Sequence, residues 1–423
     1  MKTVTFLSGI ALLATTTSSF AAGHASKTDV LTNYANIAEA KYADSLTTAK
    51  ALQDAVNALV AAPSAENLQA AKSAWLASRV PYQQTEVYRF GNTIVDDWEG
   101  KVNAWPLDEG LIDYVDASYG GATDENAAAV LNVIANPMFE LGGTTVDATV
   151  ITPDLLENTL QEADGVEANV ATGYHAIEFL LWGQDLNGHE AGAGARPWTD
   201  YAAGDACTGG NCDRRGAYLV AATDLLVSDL MWITAQWSEG GDARAAVFAN
   251  EDAGISAMLT GMGSLSYGET AGERMRLGVM LNDPEEEHSC FSDNTHNDHY
   301  YDGLGVQNVY LGSYTRIDGS VVSGASLSDL VAHDDAALDI EMKTKLADTM
   351  KALGAIKHQA EAGFAYDQML ERGNSNGEAL IMGGVNGLID QTRSIERVVA
   401  ALGVDAIEFE GSDSLDNPSA VFE

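Results

Sequence analysis

Positive charge is scarce in this sequence: 22 Lys and Arg stand against 62 Asp and Glu, for a formal charge of −40 over 423 residues. A surface that negative repels nucleic acid and anionic lipid heads and draws cations, so no nucleic-acid partner is expected. Cysteine is scarcer still, at three residues. The close pair Cys207 and Cys212 lacks the two further soft ligands that a zinc site would need beside it. Past the N-terminus no segment approaches 18 uninterrupted apolar residues, so no transmembrane segment is expected. Strand patterns are nearly missing, and alternation of β-branched residues is convincing only over 320–323. An HExxH helix, a nucleophile elbow, a phosphate loop and a dinucleotide fingerprint are all absent.

What is present begins with a leader. Lys2 precedes an apolar run over 4–14 and a small-residue stretch ending in Ser19, Phe20 and Ala21. That layout predicts a signal peptide over 1–21, cleaved after Ala21, with a run too short to span a bilayer. No cysteine sits at the cleavage point, which argues against a lipid anchor. An exported chain meets an oxidising compartment, so Cys207 and Cys212 are expected to form a disulfide, leaving Cys290 over.

Apolar residues make up 46% of the chain, enough for folded cores rather than an acidic disordered chain. Helical periodicity runs over 30–60, then from a start at Ser64, which can cap free amides ahead of Glu66. Further helices are predicted over 124–135, 152–162, 167–183, 214–238, 251–281, 334–353, 356–372 and 376–402. The expected fold is all-α, built of antiparallel helices in bundles. Length suggests more than one core. A Gly-rich connecting loop over 187–212 divides an N-terminal bundle (28–186) from a C-terminal bundle (213–405). A Ser-rich acidic tail over 406–423 is expected to fray.

Three groups of residues could carry chemistry. His175 and Glu178 lie three apart on a predicted helix, so imidazole and carboxylate share one face, as in carboxylate-bridged iron bundles. Spacing alone decides nothing, because His358 and Glu361 repeat it. Tyr174, Ile177, Leu180 and Leu181 flank the first pair and point it into an interior, where an unpaired carboxylate is costly. Lys357 and Gln359 put the second pair on a solvated face. The second group is the window 285–299, where three of the eight histidines stand among carboxylates, a mixture that suits borderline and hard cations. The third is a polar stripe of Arg79, Tyr82, Glu86 and Arg89 at helical spacing.

Gly173, His175 and Glu178 form a GxHxxE motif followed by Phe-Leu-Leu-Trp-Gly, and this resembles the signature of the imelysin-like family, on its iron-regulated protein A branch. Trp75, Arg79, Tyr82 and Glu86 agree with it, as do Trp105, Asp108, Ile112 and Asp113, and the stretch from His288 to His296. The resemblance implies two helical bundles packed as one body, with the motif near their interface. Carried over residue by residue, it adds Glu86 and Asp113 to His175 and Glu178 as metal ligands, with Arg79, Tyr82 and Trp105 in support. Relatives with Glu after the Tyr have Gln83 here, one ligand fewer. Ser292, Asp293, His296 and Asp298 are expected to line a second or adjoining site.

The expectation is a periplasmic iron-binding protein in iron acquisition, holding ferrous or ferric iron on hard carboxylates. Zinc is the other metal such a set could take. An outer-membrane or inner-membrane iron-transport component would be the partner. The rival is an imelysin-type metallopeptidase with Glu178 as base, although HxxE lacks the second His and the separate base of a zinc peptidase helix. A third reading makes the motif a buried hydrogen-bonded pair in a structural module.

Overall fold

Where the sequence supplies caps, helices begin. The computed structural model describes residues 25–123 and 126–422; the expected leader lies outside the described residues. Ser26 opens α1 (Lys27–Ala61) with a capping box to Asp29. Ser64 accepts the Asn67 N–H at 3.1 Å and opens α2 (Ala65–Gln83) as expected. The chain reverses through 62–64, so α1 and α2 lie side by side. Pro81, inside α2, brings no N–H to the ladder. The helix stops two residues later and tightens into a single 3₁₀ turn, Glu86–Tyr88, which turns Glu86 inward.

Motif helix α3 (Gly173–Trp182) is followed by α4 (Cys212–Trp237), α5 (Glu251–Ser264), α6 (Thr295–Leu311), α7 (Ala336–Glu361) and α8 (Ser375–Ala401). Two short hairpins, Met138–Leu141 with Thr144–Asp147 and Ser313–Thr315 with Val321–Ser323, are the strands among the described residues. The molecule is therefore all-α in class. The first hairpin turns on Gly142 and Gly143, both at positive φ, a two-residue connection that glycine favours.

The expected division at 187–212 does not separate the cores. Helix α4 follows that loop yet packs along α1, and one hydrophobic core runs from Val30 through Trp75 and Leu226 to Leu402. A smaller core under α7 and α8 contains Met275, Leu353, Ile381 and Leu388. Each fully buried side chain of this size contributes about 1.5–3 kcal/mol, so α4 draws its stability from the first bundle. The apolarity of Cys212–Phe248 has the same origin. That stretch is long and apolar enough to cross a membrane, and 61% of its most apolar window is buried within the fold.

Several other expectations shift. Residues 126–135 make turns rather than a helix. The predicted break near 354 is absent, because α7 runs straight through Gly354. The 285–299 window is part loop and part helix, since α6 starts at Thr295. The tail docks rather than frays: Phe409 packs on Gly263, the Glu410 N–H donates to Ser264 Oγ at 3.0 Å, and Ser414 Oγ donates to the Gly272 carbonyl at 2.9 Å. Between Leu265 and Arg276 the helix widens to π geometry before closing again at Leu277–Leu281.

Candidate metal centre

The motif helix can start only at a glycine. Gly173 has φ +78°, and a Cβ there would meet the Val102 carbonyl oxygen at 2.4 Å. The neighbouring Tyr174 N–H donates to that carbonyl at 2.7 Å, and Trp75 Nε1 donates to the Tyr174 carbonyl at 2.9 Å. The start of α3 is thus fastened to the backbone at Val102 and to α2. Every residue of α3 is buried, His175 and Glu178 included.

Within α3, His175 Nδ1 lies 3.0 Å from Glu178 Oε2. The other oxygen, Oε1, accepts the Ser292 N–H at 3.0 Å and the Ser292 hydroxyl at 2.6 Å. Both carboxylate oxygens are therefore engaged, while His175 Nε2 is buried without a hydrogen bond. The His175 ring meets the His288 ring edge-on, with centroids 4.7 Å apart. Neither nitrogen of His288 is hydrogen-bonded; its Nδ1 lies 3.3 Å from Asp298 Oδ2, close in distance but not aligned.

Asp298, in the first turn of α6, is held by Arg79 Nε at 3.3 Å and by the Ser289 hydroxyl. Arg79 in turn donates to Asn103 Oδ1 at 2.6 Å and lies against the rings of Trp75, Tyr82 and Tyr174. Trp105 covers His288 edge-on at 5.8 Å and donates its indole N–H to the Glu287 carbonyl at 3.1 Å.

Burial sets the protonation of this centre. It drives His175 well below the ordinary histidine range, with His288 and Arg79 adding to the effect. It lowers His288 to about 3, helped by Arg274. Both rings are neutral and keep lone pairs for a cation. Burial also pushes Glu178 up to about 8 against the Ser292 hydroxyl bond, which favours the charged form. For Asp298 burial works upward too, but Arg79 and the His288 contact overcome it and hold the carboxyl far below its usual range.

Of the four expected ligands, His175 and Glu178 come together and the other two are engaged elsewhere. Glu86 pairs with Arg274 Nη2 at 3.1 Å, in a knot where Arg274 also reaches Glu269 at 2.7 Å and Asp302 at 3.1 Å. The π segment makes this knot, because its i to i+5 ladder sets Glu269 beside Arg274. Asp113 accepts from Arg215 at 2.6 and 2.9 Å and from Arg196 at 2.7 Å. Its carboxyl is held below the usual range although burial opposes this, because the two guanidinium groups prevail. That cage ties the loop over 187–212 to α4 and leaves Asp113 no free oxygen for a metal. Gln83 is fully buried, and neither end of its amide is bonded.

The expected second site divides in the same way. Ser292 and Asp298 adjoin the histidines, as described. His296 Nε2 lies 3.0 Å from Asn297 Nδ2, while Asp293 joins Asp185 and Asp367. His288 was noted in the sequence but not named among the expected ligands. It stood inside the 285–299 window, but no spacing marked it, since its contact with His175 is purely tertiary.

On the far side of Trp105, which covers His288, lies a cleft of about 610 Å³ lined also by Asp108, Glu109, Asp185, Glu285 and Cys290. Carboxylates on its walls favour cations over anions. Away from it, Cys207 and Cys212 are joined in a disulfide and Cys290 is a free thiol.

A helical body with a buried GxHxxE helix facing a second histidine places this chain in a definite class. It belongs to the imelysin family, whose model matches residues 38–395. Among similar proteins is "Iron-regulated protein A" of Synechococcus elongatus, 23% identical over 327 residues, covering 74% of this chain and 71% of that protein. Among solved structures, a Parabacteroides distasonis protein provisionally assigned as an iron-regulated protein A precursor superposes with a TM-score of 0.64 at 18% identity. That match covers 90% of this chain and 97% of the other, a likeness of fold.

Proposed function

We propose that this protein binds iron in the periplasm and serves iron acquisition, with the ion taken at His175 Nε2 and His288. Glu178 then acts as the carboxylate that orients His175 through Nδ1, and Asp298 as the anion beside His288. One observation carries the reading: His175 Nε2 and His288 Nε2 are buried without a hydrogen bond on two rings whose centroids lie 4.7 Å apart. Orphaned polar atoms in an interior are costly unless something binds them. A ligating histidine that gives its other ring nitrogen to a carboxylate is the usual arrangement of a metal site. The relative's name, iron-regulated protein A, links it to iron, and iron is the metal we assign here; zinc would satisfy the same donors. Delivery from or to a membrane iron-transport component fits an exported carrier.

Glu86 and Asp113 enter this proposal as supports, since their arginines already neutralise them. A peptidase role for Glu178 is disfavoured because its Oε1 is taken up by Ser292 and its Oε2 faces His175, and the motif helix carries no second histidine or separate base. The test is metal analysis and anaerobic ferrous titration of the wild type, His175→Ala and His288→Ala. Stoichiometric iron in the wild type and at least about tenfold weaker binding in both variants is expected. Equal affinity in all three would place any iron elsewhere.

A further inference from the structure

Outside the histidine centre, four carboxyl groups stand in a row. Asp185, Asp293 and Asp367 present oxygens within 4.8 Å of one another. They come from three separate segments: the chain just past α3, the loop before α6, and the short helix Tyr366–Leu370. Glu287 extends the row. It is fully buried, faces Asp367 and Asp293, and has Thr295 near it, yet neither of its oxygens makes an aligned hydrogen bond. Asp293 Oδ1 and Asp367 Oδ2 are likewise buried without a partner.

The groups that reach the row are two backbone N–H groups, the Asn187 side-chain amide and one imidazole. The Gly192 N–H donates to Asp293 Oδ2 at 3.1 Å, and the Asn187 N–H donates to Asp185 Oδ1 at 2.9 Å. His189 lies 3.1 Å from the backbone carbonyl of Asp367. Among the described residues no Lys or Arg pairs with any of the four carboxylates, in contrast to Glu86, Asp113 and Asp298, each of which has an arginine.

Carboxylates this close repel, and among the described residues no Lys or Arg stands by to relieve them. We propose that Asp185, Asp293, Asp367 and Glu287 bind a hard divalent cation, calcium by preference, at a site distinct from the histidine centre. The donor set is all oxygen, with neither imidazole nor thiolate, which selects hard ions. Calcium tolerates irregular shells of about six to eight oxygens, whereas magnesium demands a near-octahedral one and gives up water reluctantly. Asp185 also lines the acidic cleft, which gives the ion a route in. Once bound, the ion ties the turn at Gly192 and the Tyr366–Leu370 helix to the loop that carries His288. The site stands independently of iron binding.

The test is calorimetric titration of chelator-treated protein with calcium at about 0.15 M salt, which screens the exposed carboxylates. One stoichiometric site is expected in the wild type and in His175→Ala, weakened at least about tenfold in Asp367→Asn and in Glu287→Gln. Both amides are isosteric and remove repulsion, so in chelator these variants should melt at or above the wild-type temperature. Calcium should raise the melting temperature of the wild type and of His175→Ala, and that of the two amide variants less. Absence of a calcium site in the wild type would overturn the proposal, and so would unchanged affinity in both amide variants. Lower melting of both amide variants in chelator would do the same, because a protonated acid pair would then be holding the fold. Tighter binding of magnesium than calcium would overturn the calcium preference, and loss of the site in His175→Ala would place the ion in the histidine centre.

Discussion

Ser292 donates both its N–H and its hydroxyl to Glu178 Oε1, at 3.0 and 2.6 Å, across 114 positions of sequence. A loop of the C-terminal half thereby fixes the carboxylate that faces His175. Ser292→Ala removes the hydroxyl bond and keeps the N–H bond. The expected cost at pH 7 is about 0.5–1.5 kcal/mol of stability, the range for an ordinary hydrogen bond. Iron affinity should fall about tenfold, as for the loss of an orienting partner. Denaturant melts and iron titration on the same variant check both, and unchanged affinity would mean that the orientation of Glu178 does not matter.

Gly173→Ala should be far more damaging than its size suggests. The new Cβ would press on the Val102 carbonyl at a φ of +78°, and both strain terms act on the start of α3. A loss of about 3 kcal/mol or more is expected by chemical denaturation. An ordinary glycine in an open turn, such as Gly319, meets nothing within 4 Å and serves as the control for backbone strain alone. Similar losses at the two positions would show that the contact with Val102 adds nothing.

These two positions also show how far the sequence could be read. The helical class, the Ser64 cap and the burial of the His175 pair were legible, because periodicity and flanking apolar residues act locally. The partners of Glu86 and Asp113 were not. Arg274, Arg196 and Arg215 lie 188, 83 and 102 positions away from those carboxylates, and no local pattern marks such pairings. The resemblance to a family supplied acids at the right positions, and the arginines decide what those acids are free to do. His288 escaped for a related reason, since only packing sets its ring against His175. The start of α6 at Thr295 was hidden because His, Asn and Asp crowd its first turn and read as a loop.

Asp113→Asn separates a structural acid from a ligand. Breaking a buried carboxylate from two arginines should cost about 3–5 kcal/mol, while iron affinity stays as in the wild type. The pH dependence has a definite sign. The folded carboxyl lies below its unfolded value of about 3.9, so its stabilisation is complete above that pH and is lost as pH falls through the folded value. Melting temperatures of the wild type and the variant, measured from pH 7 downward, should therefore converge only below about pH 4. A difference that vanished already at pH 6 would contradict the arginine cage.

Cys207 and Cys212 should resist a thiol label until reductant is added, when two further labels appear by mass. Reduction opens only a short loop, so the expected loss is about 2 kcal/mol on the chain-entropy account. Labelling of both cysteines in native, unreduced protein would remove the disulfide.

Iron binding should release a proton. Burial places Glu178 near 8, so at pH 7 the His175–Glu178 pair holds two protons, one on the carboxyl and one on the ring. With the carboxyl proton directed at Nδ1, the ring proton sits on Nε2 and blocks the metal. Binding at Nε2 leaves a single proton, between Nδ1 and the Glu178 carboxylate, and the other departs. Ferrous affinity should then rise about tenfold per pH unit from 6 to 7, and level off above about 8, where the carboxyl is already ionised. Calorimetry in two buffers of different ionisation enthalpy counts the proton directly, and in Glu178→Gln the count should fall to zero. His358, exposed and on α7, supplies the control: His358→Ala should leave affinity and proton count unchanged. A wild-type heat independent of buffer would show that the ion does not displace a proton from this pair, and the assignment of His175 Nε2 as its ligand would fail.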